Sequence, residues 1–213
     1  MKSLVILISG RGSNMQALVE AKLSARIAAI ISNRADAEGL EAAKRHGIET
    51  RVVNQLSYPR REAFDAALTD AIDAYDPDLI ALAGFMRILG EDFVNRYQGK
   101  LINVHPSLLP AFPGLNTHRR ALQEGVKIHG CTVHFVTAQM DRGPIIIQAA
   151  IQVLPDDTEQ TLAARVLQEE HRIYPEAVRW FTEGRLRLAS TGGIDVGNAG
   201  FDGSVLYSPG LCK

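Results

Sequence analysis

Cysteine is scarce in this chain of 213 residues, which contains only Cys131 and Cys212. Two cysteines so far apart, with no Cys-x-x-Cys pair, exclude a disulfide-stapled fold and a cysteine-bound metal cluster. Other metal-ligand spacings are missing as well, so we expect no metal cofactor. The low thiol content is typical of a reducing compartment, and we expect a cytoplasmic location.

Long hydrophobic runs and a strong charge of either sign are also missing. The first apolar run, Leu4 to Ile8, is too short for the hydrophobic region of a signal peptide or for a membrane span. The formal net charge is −1, so the chain lacks the basic surface that binds nucleic acid. We therefore expect small-molecule ligands, with neither a nucleic acid nor a membrane as partner.

Apolar runs alternate with helical patterns along residues 1–188. Runs such as Leu4–Ile8 and Leu79–Ala83 have no polar face, which is typical of strands covered on both sides in a parallel sheet. Their alternation with helices predicts an α/β fold with a doubly wound, mostly parallel sheet of about seven strands. We predict a single domain over residues 1–188, whose Rossmann-like N-terminal half, about 1–100, binds a nucleotide.

The C-terminal part of the chain gives two further predictions. A long helix is expected from about Thr158, with Asp157 as its N-cap and Gln160 at the third helical position, and Pro175 should interrupt or kink it. Residues 189–213 are rich in glycine and have little apolar periodicity, so we predict a flexible tail there.

A glycine turn, Gly10 to Asn14, lies between the first strand and the first helix. Glycines permit close backbone approach, and a helix N-terminus offers free N–H groups to an anion. A dinucleotide fingerprint would need glycine at Met15 and an acid at Asn33, so a mononucleotide or sugar phosphate is favoured over NAD. The alternative is a plain strand-to-helix turn in which Ser13 or Asn14 caps the helix.

The segment Asn103 to Pro110 contains a pair of polar side chains at a strand end. In the strand Leu101–His105, Asn103 and His105 are two residues apart and should face the same side. Pro106 then ends the strand, because proline has no N–H to donate. Ligands bind at the carboxyl ends of strands in open α/β sheets, so a hydrogen-bond donor and a proton carrier are expected together at a binding edge.

Six segments in order carry a resemblance to a known family, and one such motif alone would be weak evidence. They are Ile8–Asn14, Leu82–Leu89, Asn103–Pro110, His129–Val136, Asp141–Pro144 and Glu170–Pro175. From Leu4 to about Leu186 the chain resembles the phosphoribosylglycinamide formyltransferases, folate-dependent enzymes of purine synthesis. The resemblance implies the formyltransferase fold and transfer of the formyl group of 10-formyltetrahydrofolate to the amine of glycinamide ribonucleotide.

The resemblance also implies roles for individual residues, and it assigns the folate and catalytic elements to the half from about 101 to 188. The implied catalytic residues are Asn103, His105 and Asp141. Those implied to bind glycinamide ribonucleotide are Gly12, Ser13, Asn14, Leu167, Gln168, Glu169 and Glu170, with Glu170 receiving the amine. Those implied to contact formyl-folate are Arg61, Met86, Arg87, Ile88, Leu89, Asn103, Thr137, Ala138, Gln139, Met140 and Asp141. A monomer or weak homodimer is expected.

Plainer interpretations exist for several of these residues. Met86 and Leu89 could be ordinary core residues, and Arg61 and Glu170 could be solvated helix charges. Four histidines outside the implied catalytic group are expected to be structural or surface residues, namely His118, His129, His134 and His171.

Three other functions remain open. Methionyl-tRNA formyltransferases share the Asn103–Pro110 pattern but carry a C-terminal tRNA-binding domain, for which little chain follows Glu183, and the neutral charge disfavours RNA. Formyltetrahydrofolate hydrolases transfer the formyl group to water and carry an N-terminal regulatory domain, whereas the first strand here begins near Ser3. A non-catalytic nucleotide-binding module is disfavoured by the presence of all three implied catalytic residues.

Overall fold

The computed structural model of the protein describes residues 1–188 and 193–197. The strands in this part of the chain are β1 (Lys2–Ile8), β2 (Ala25–Ser32), β3 (Thr50–Val52), β4 (Leu79–Leu82), β5 (Leu101–His105), β6 (Ile128–Phe135), β7 (Ile145–Gln152), β8 (Leu186–Leu188) and β9 (Ile194–Val196). The first seven form one sheet in the order β3-β2-β1-β4-β5-β6-β7. Strands β1 to β5 pair in parallel, whereas β6 pairs antiparallel with both β5 and β7.

Helices connect these strands and cover both faces of the sheet. They are α1 (Ser13–Glu20), α2 (Glu38–Arg45), α3 (Arg61–Asp73), α4 (Glu91–Arg96), α5 (Thr117–Gln123) and α6 (Glu159–Thr182). The prediction of a doubly wound, mostly parallel sheet of about seven strands is therefore confirmed. None of the helices in the described ranges is long and apolar enough to cross a membrane.

The apolar run of β1 lies at the centre of the protein and divides the core in two. Leu4, Ile6 and Ile8 pack on the face that α1 and α6 cover, whereas Val5 and Leu7 pack on the face that α3 and α4 cover. Successive strand residues point to opposite faces, and all five of these side chains are fully buried. A run without a polar face is what a strand covered on both sides requires.

Helix α6 differs from its prediction in its cap and in its continuity through Pro175. Its N-cap is Thr158, whose hydroxyl accepts from the backbone N–H of Thr161, so Asp157 and Gln160 are wrong as the capping pair. Asp157 precedes the cap and accepts from the Leu154 N–H instead. Pro175 does not interrupt the helix, which continues to Thr182. Burial of the flanking turns against the sheet outweighs the one backbone hydrogen bond that proline cannot make.

The predicted tail is described only in part. Of residues 189–213, the structure describes 193–197, and within them β9 pairs antiparallel with β8 in a separate two-stranded sheet. The remainder of the predicted tail lies outside the described residues.

Candidate active site

The side chain of His105 lies beside Asp141 at the carboxyl end of β5, and the side chain of Asn103 is linked to Asp141 through His134. Asp141 lies in the loop between β6 and β7, and its Oδ2 is 3.6 Å from His105 Nδ1. Both side chains are largely buried, at 8% and 12% exposure. The β6–β7 loop leaves the sheet beside the start of β5, where the Val136 N–H donates to the Leu101 carbonyl, yet it brings Asp141 to His105 at the other end of that strand. Residues 36 positions apart in sequence thereby become neighbours.

The backbone around Asp141 holds its carboxylate in place. Asp141 itself has φ of 53°, in the left-handed region that few residues other than glycine adopt. Its Oδ2 accepts a hydrogen bond of 2.8 Å from the Gly114 N–H. A side chain at Gly143 would place its Cβ 1.7 Å from the Phe135 carbonyl oxygen, so only glycine fits there. The carboxylate is thus fixed beside the histidine by the loops on either side.

The second ring nitrogen of His105 also has a partner. Nε2 lies 3.0 Å from the carbonyl oxygen of Phe112, in the segment between β5 and α5. Since a carbonyl oxygen can only accept, Nε2 carries a proton in this arrangement and Nδ1 faces Asp141. The ring therefore has an acceptor near each nitrogen.

His134, which the sequence predicts to be a structural or surface residue, is buried and lies beside two of the implied catalytic residues. It is 2% exposed, and its Nε2 is 3.3 Å from Asn103 Nδ2 and 3.9 Å from Asp141 Oδ1. Burial lowers the pKa of His134, although the Phe135 carbonyl and the Asp141 carboxylate act to raise it. A neutral ring that donates from Nδ1 to Phe135 leaves Nε2 free to accept from the Asn103 amide. His134 thereby orients Asn103.

The role of His134 could have been predicted only from the pairing of β5 with β6. Asn103 and His134 are direct register partners on β5 and β6. Opposed residues of an antiparallel pair have neighbouring side chains, so the pairing alone brings them together. Neither the length of the connection between β5 and β6 nor the composition of β6 fixes that register in advance.

The glycine turn has the backbone geometry of an anion site. Gly12 is the N-cap of α1 with φ of 76°, and a Cβ there would lie 2.9 Å from the Cα of Gly39 in α2. No side chain caps α1, so the alternative in which Ser13 or Asn14 caps this helix is wrong. The first N–H groups of α1 therefore remain available to a ligand.

The side chain of Asn14 turns away from the turn and contacts Glu170 of α6. Its Nδ2 donates to Glu170 Oε2 at 2.7 Å, and both residues are buried. Burial raises the pKa of Glu170 to about 6, against the opposing effect of the Asn14 hydrogen bond. Glu170 is therefore not a solvated helix charge. A buried carboxylate with one neutral partner is suited to receive a cation or an N–H donor.

The other α6 residues implied to bind the nucleotide are placed differently. Leu167 is half-buried and Gln168 is exposed. Glu169 forms an ion pair of 3.1 Å with Arg172, one turn further along the helix. Among these neighbours, Glu170 is the one whose contact with the glycine turn is observed.

Most of the residues implied to contact formyl-folate lie on the loops that follow β4 and β6; the exceptions are Arg61 in α3 and Asn103 in β5. Three of them are exposed apolar side chains, namely Met86 at 68%, Ile88 at 61% and Met140 at 55%. Met86 is therefore not an ordinary core residue, and its backbone N–H donates to Ser9 Oγ at 2.7 Å. Exposed apolar side chains on loops at a site are suited to a flat, largely apolar ligand.

The remaining residues of this set show mixed placement. Leu89 packs against the core cluster that includes Phe64, as the plainer interpretation expected. The guanidinium of Arg87 lies 4.2 Å from the centroid of the Phe64 ring, and its Nη1 donates to Gln55 at 3.3 Å. Arg61 begins α3 and is exposed, as are Ala138 and Gln139, whereas the Thr137 hydroxyl donates to the Gln139 carbonyl.

Known proteins are similar to this chain in sequence and in fold. A family model described as formyl transferase matches residues 1–178. Phosphoribosylglycinamide formyltransferase of Escherichia coli K12 is 49% identical over 190 residues, which cover 87% of this chain and 90% of that protein. The trifunctional purine biosynthetic protein adenosine-3 of Homo sapiens is 47% identical over 193 residues, which cover 89% of this chain and 19% of that protein. The crystal structure of glycinamide ribonucleotide transformylase 1 from Symbiobacterium toebii superposes with a TM-score of 0.89 at 49% identity, covering 93% of this chain and 95% of that one.

Proposed function

The chain belongs to the formyl transferase family, and on that premise we propose that it is a phosphoribosylglycinamide formyltransferase that uses 10-formyltetrahydrofolate. The reaction belongs to de novo purine biosynthesis. The amine nitrogen of glycinamide ribonucleotide bonds to the formyl carbon, the bond from that carbon to the folate nitrogen breaks, and one proton passes from the amine to the folate nitrogen. The products are formylglycinamide ribonucleotide and tetrahydrofolate.

The observation that supports the proposal is the placement of His105 beside Asp141, with Asn103 and Asp141 both next to His134. Attack on a formyl carbon builds negative charge on the formyl oxygen, which needs a donor already aimed at it. The Asn103 amide supplies two N–H donors, and its contact with His134 Nε2 fixes one of them. The other is free for the oxyanion, and such a donor lowers the barrier by about 3–4 kcal/mol.

His105 and Asp141 are suited to move the proton. Asp141 Oδ2 lies 3.6 Å from His105 Nδ1, a distance that a small rotation of the ring or one water can close. A proton taken up on Nδ1 would face this carboxylate. We assign the pair the transfer of the proton from the attacking amine toward the departing nitrogen.

The nucleotide half of the site is proposed to lie between the glycine turn and Glu170. The uncapped N–H groups at the start of α1 suit a phosphate, and the Glu170 carboxylate suits the glycinamide amine. Asn14 bridges the two, since it belongs to the turn and donates to Glu170 at 2.7 Å. Gly12 and Ser13 are assigned to the phosphate; Leu167, Gln168 and Glu169 remain predicted contacts.

The formyl donor is proposed to bind against the loops after β4 and β6. The exposed apolar side chains Met86, Ile88 and Met140 fit a flat ring system that would cover them. Leu89, Thr137, Ala138 and Gln139 belong to the same two loops, with Arg61 at the start of α3. When bound, 10-formyltetrahydrofolate supplies the one-carbon unit. The cytoplasmic location and the monomeric or weakly dimeric state stay predictions.

One incubation tests the function against its closest alternative. Purified protein is incubated with 10-formyltetrahydrofolate, with and without glycinamide ribonucleotide, and the products are identified by mass spectrometry. We expect formylated nucleotide only when the nucleotide is present, and Asn103→Ala serves as the matched low-activity control. Free formate at the same rate without the nucleotide would identify a hydrolase and refute the proposal.

A further inference from the structure

Ser107 is a fully buried residue beside the site to which no role has been assigned. It follows His105 by two positions, and its N–H donates to the His105 carbonyl at 2.9 Å. Its hydroxyl donates to the Ala111 carbonyl at 2.6 Å and lies 3.1 Å from the Phe112 carbonyl. Ser107 therefore contacts both the backbone of His105 and the loop that the ring of His105 meets.

The Phe112 carbonyl is shared between these two residues. It accepts from His105 Nε2 at 3.0 Å and lies within hydrogen-bond distance of Ser107 Oγ. Phe112 has φ of 53°, a backbone conformation that costs a bulky residue free energy and persists only where its surroundings hold it. The Ser107 hydroxyl contacts the carbonyl groups of this residue and of the one before it, and so stabilises this conformation.

Ser107 is itself anchored to the sheet. Thr132 of β6 donates from its hydroxyl to the Ser107 carbonyl at 2.7 Å, and Thr132 is the register partner of His105. The Thr132 hydroxyl also accepts from the Leu109 N–H and from Gln148 Nε2. Because of this network, Ser107 has a fixed position relative to His105. Its hydroxyl in turn holds the Phe112 carbonyl at a fixed distance from the sheet.

We propose that Ser107 is a positioning residue for formyl transfer, and that its hydroxyl holds the Phe112 carbonyl against His105 Nε2. This inference rests on the proposed role of His105. The carbonyl keeps one ring proton on Nε2, so the nitrogen that gains and loses the transferred proton is Nδ1, which faces Asp141. Two residues beyond Phe112, the Gly114 N–H donates to Asp141 Oδ2. The same loop therefore orients both His105 and Asp141.

The test compares two buried serines that lose the same hydroxyl. Ser107→Ala removes the grip on Phe112, whereas Ser32→Ala removes a fully buried hydroxyl that donates to the Arg34 carbonyl at 2.8 Å, outside the proposed machinery. We expect kcat to fall about 10- to 100-fold in Ser107→Ala, the range that misplacement of a catalytic group produces. The KM of each substrate should change less than about threefold, because neither substrate contacts Ser107.

A second readout is independent of activity. Long-range ¹H–¹⁵N NMR of the substrate-free protein at alkaline pH reports which nitrogen of neutral His105 carries the proton, with the signal assigned from a His105→Gln variant. We expect the Nε2–H form in the wild type and in Ser32→Ala, and a larger share of Nδ1–H in Ser107→Ala. Ser107→Cys keeps a weak donor and should fall between them, and it replaces Ser107→Ala if that variant does not fold.

The outcomes separate this inference from the proposed function. An inactive wild type would refute the function, while the NMR comparison would still decide the role of Ser107. If the wild type is active, an unchanged kcat in Ser107→Ala would overturn the positioning role. An equal loss of kcat in Ser107→Ala and Ser32→Ala would also overturn it. A wild-type His105 protonated on Nδ1 would overturn it as well.

Discussion

Replacement of the buried Glu170 by glutamine should make the substrate-free protein more stable and should weaken its binding of glycinamide ribonucleotide. Glu170 is 7% exposed, and burial raises the pKa of its carboxyl from 4.5 to about 6. A raised folded-state pKa means that the folded protein binds the proton more tightly than the unfolded chain does. The favourable contribution of the protonated form is complete below pH 4.5 and is lost as the pH rises through about 6.

The size of the effect follows from the same values. At about 1.4 kcal/mol per pH unit, a rise from 4.5 to about 6 corresponds to about 2 kcal/mol of lost stability at neutral pH. Glutamine has no charge to bury and can still accept from Asn14 through its amide oxygen. Glu170→Gln should therefore gain up to about 2 kcal/mol over the wild type above pH 7, or roughly 4–8 °C in Tm for a domain of this size.

The assay is urea unfolding of both proteins at several values of pH from about 4 to 8. Only the difference between the two free energies of unfolding is interpreted, because other groups titrate alike in both. Glu169→Gln is the matched control, since Glu169 pairs with the exposed Arg172 and such pairs contribute about 0–1 kcal/mol. A difference that does not change with pH, or a less stable Glu170→Gln at pH 8, would refute the argument.

The same substitution should damage nucleotide binding. Loss of the negative charge would remove the proposed charge-assisted hydrogen bond to the amine, worth about 1.5–3 kcal/mol, so the KM for glycinamide ribonucleotide should rise about 10- to 100-fold. The KM for 10-formyltetrahydrofolate should stay near its wild-type value. A protein that gives up stability to keep a buried carboxylate ionised is one in which the carboxylate serves a ligand.

Three further predictions concern the other proposed residues. Asn103→Ala should lower kcat about 10²–10³-fold with little change in either KM, measured by steady-state kinetics; near-normal turnover would make Asn103 a structural residue. Asp141→Asn retains an acceptor for the Gly114 N–H but removes the charge, so single-turnover rates should fall about 100-fold or more while Tm changes little, and an unchanged rate would exclude Asp141 from the relay. Ser13→Leu should weaken calorimetric binding of glycinamide ribonucleotide and spare the folate, whereas equal affinities for the nucleotide would remove the phosphate assignment.

The amino-acid sequence by itself determined the architecture and the strand end at which the candidate site was predicted. A short apolar run such as Leu4–Ile8 must be buried on both faces, and its length and the glycines that follow it favour a strand over a helix. The strand Leu101–His105 begins and ends where its alternation and Pro106 predict. These features depend on interactions between residues close in sequence, so a local pattern is sufficient to predict them.

Only the tertiary structure decided which residues of the candidate site contact one another. Asn14 and Glu170 are 156 positions apart, and the contact between them exists because α1 and α6 pack on the same face of the sheet. His134 reaches Asn103 only through the register of β6 on β5. The Phe112 carbonyl that meets His105 is a backbone atom, which no residue type encodes. Register, helix packing and loop conformation depend on many weak contacts together, and a short motif specifies none of them.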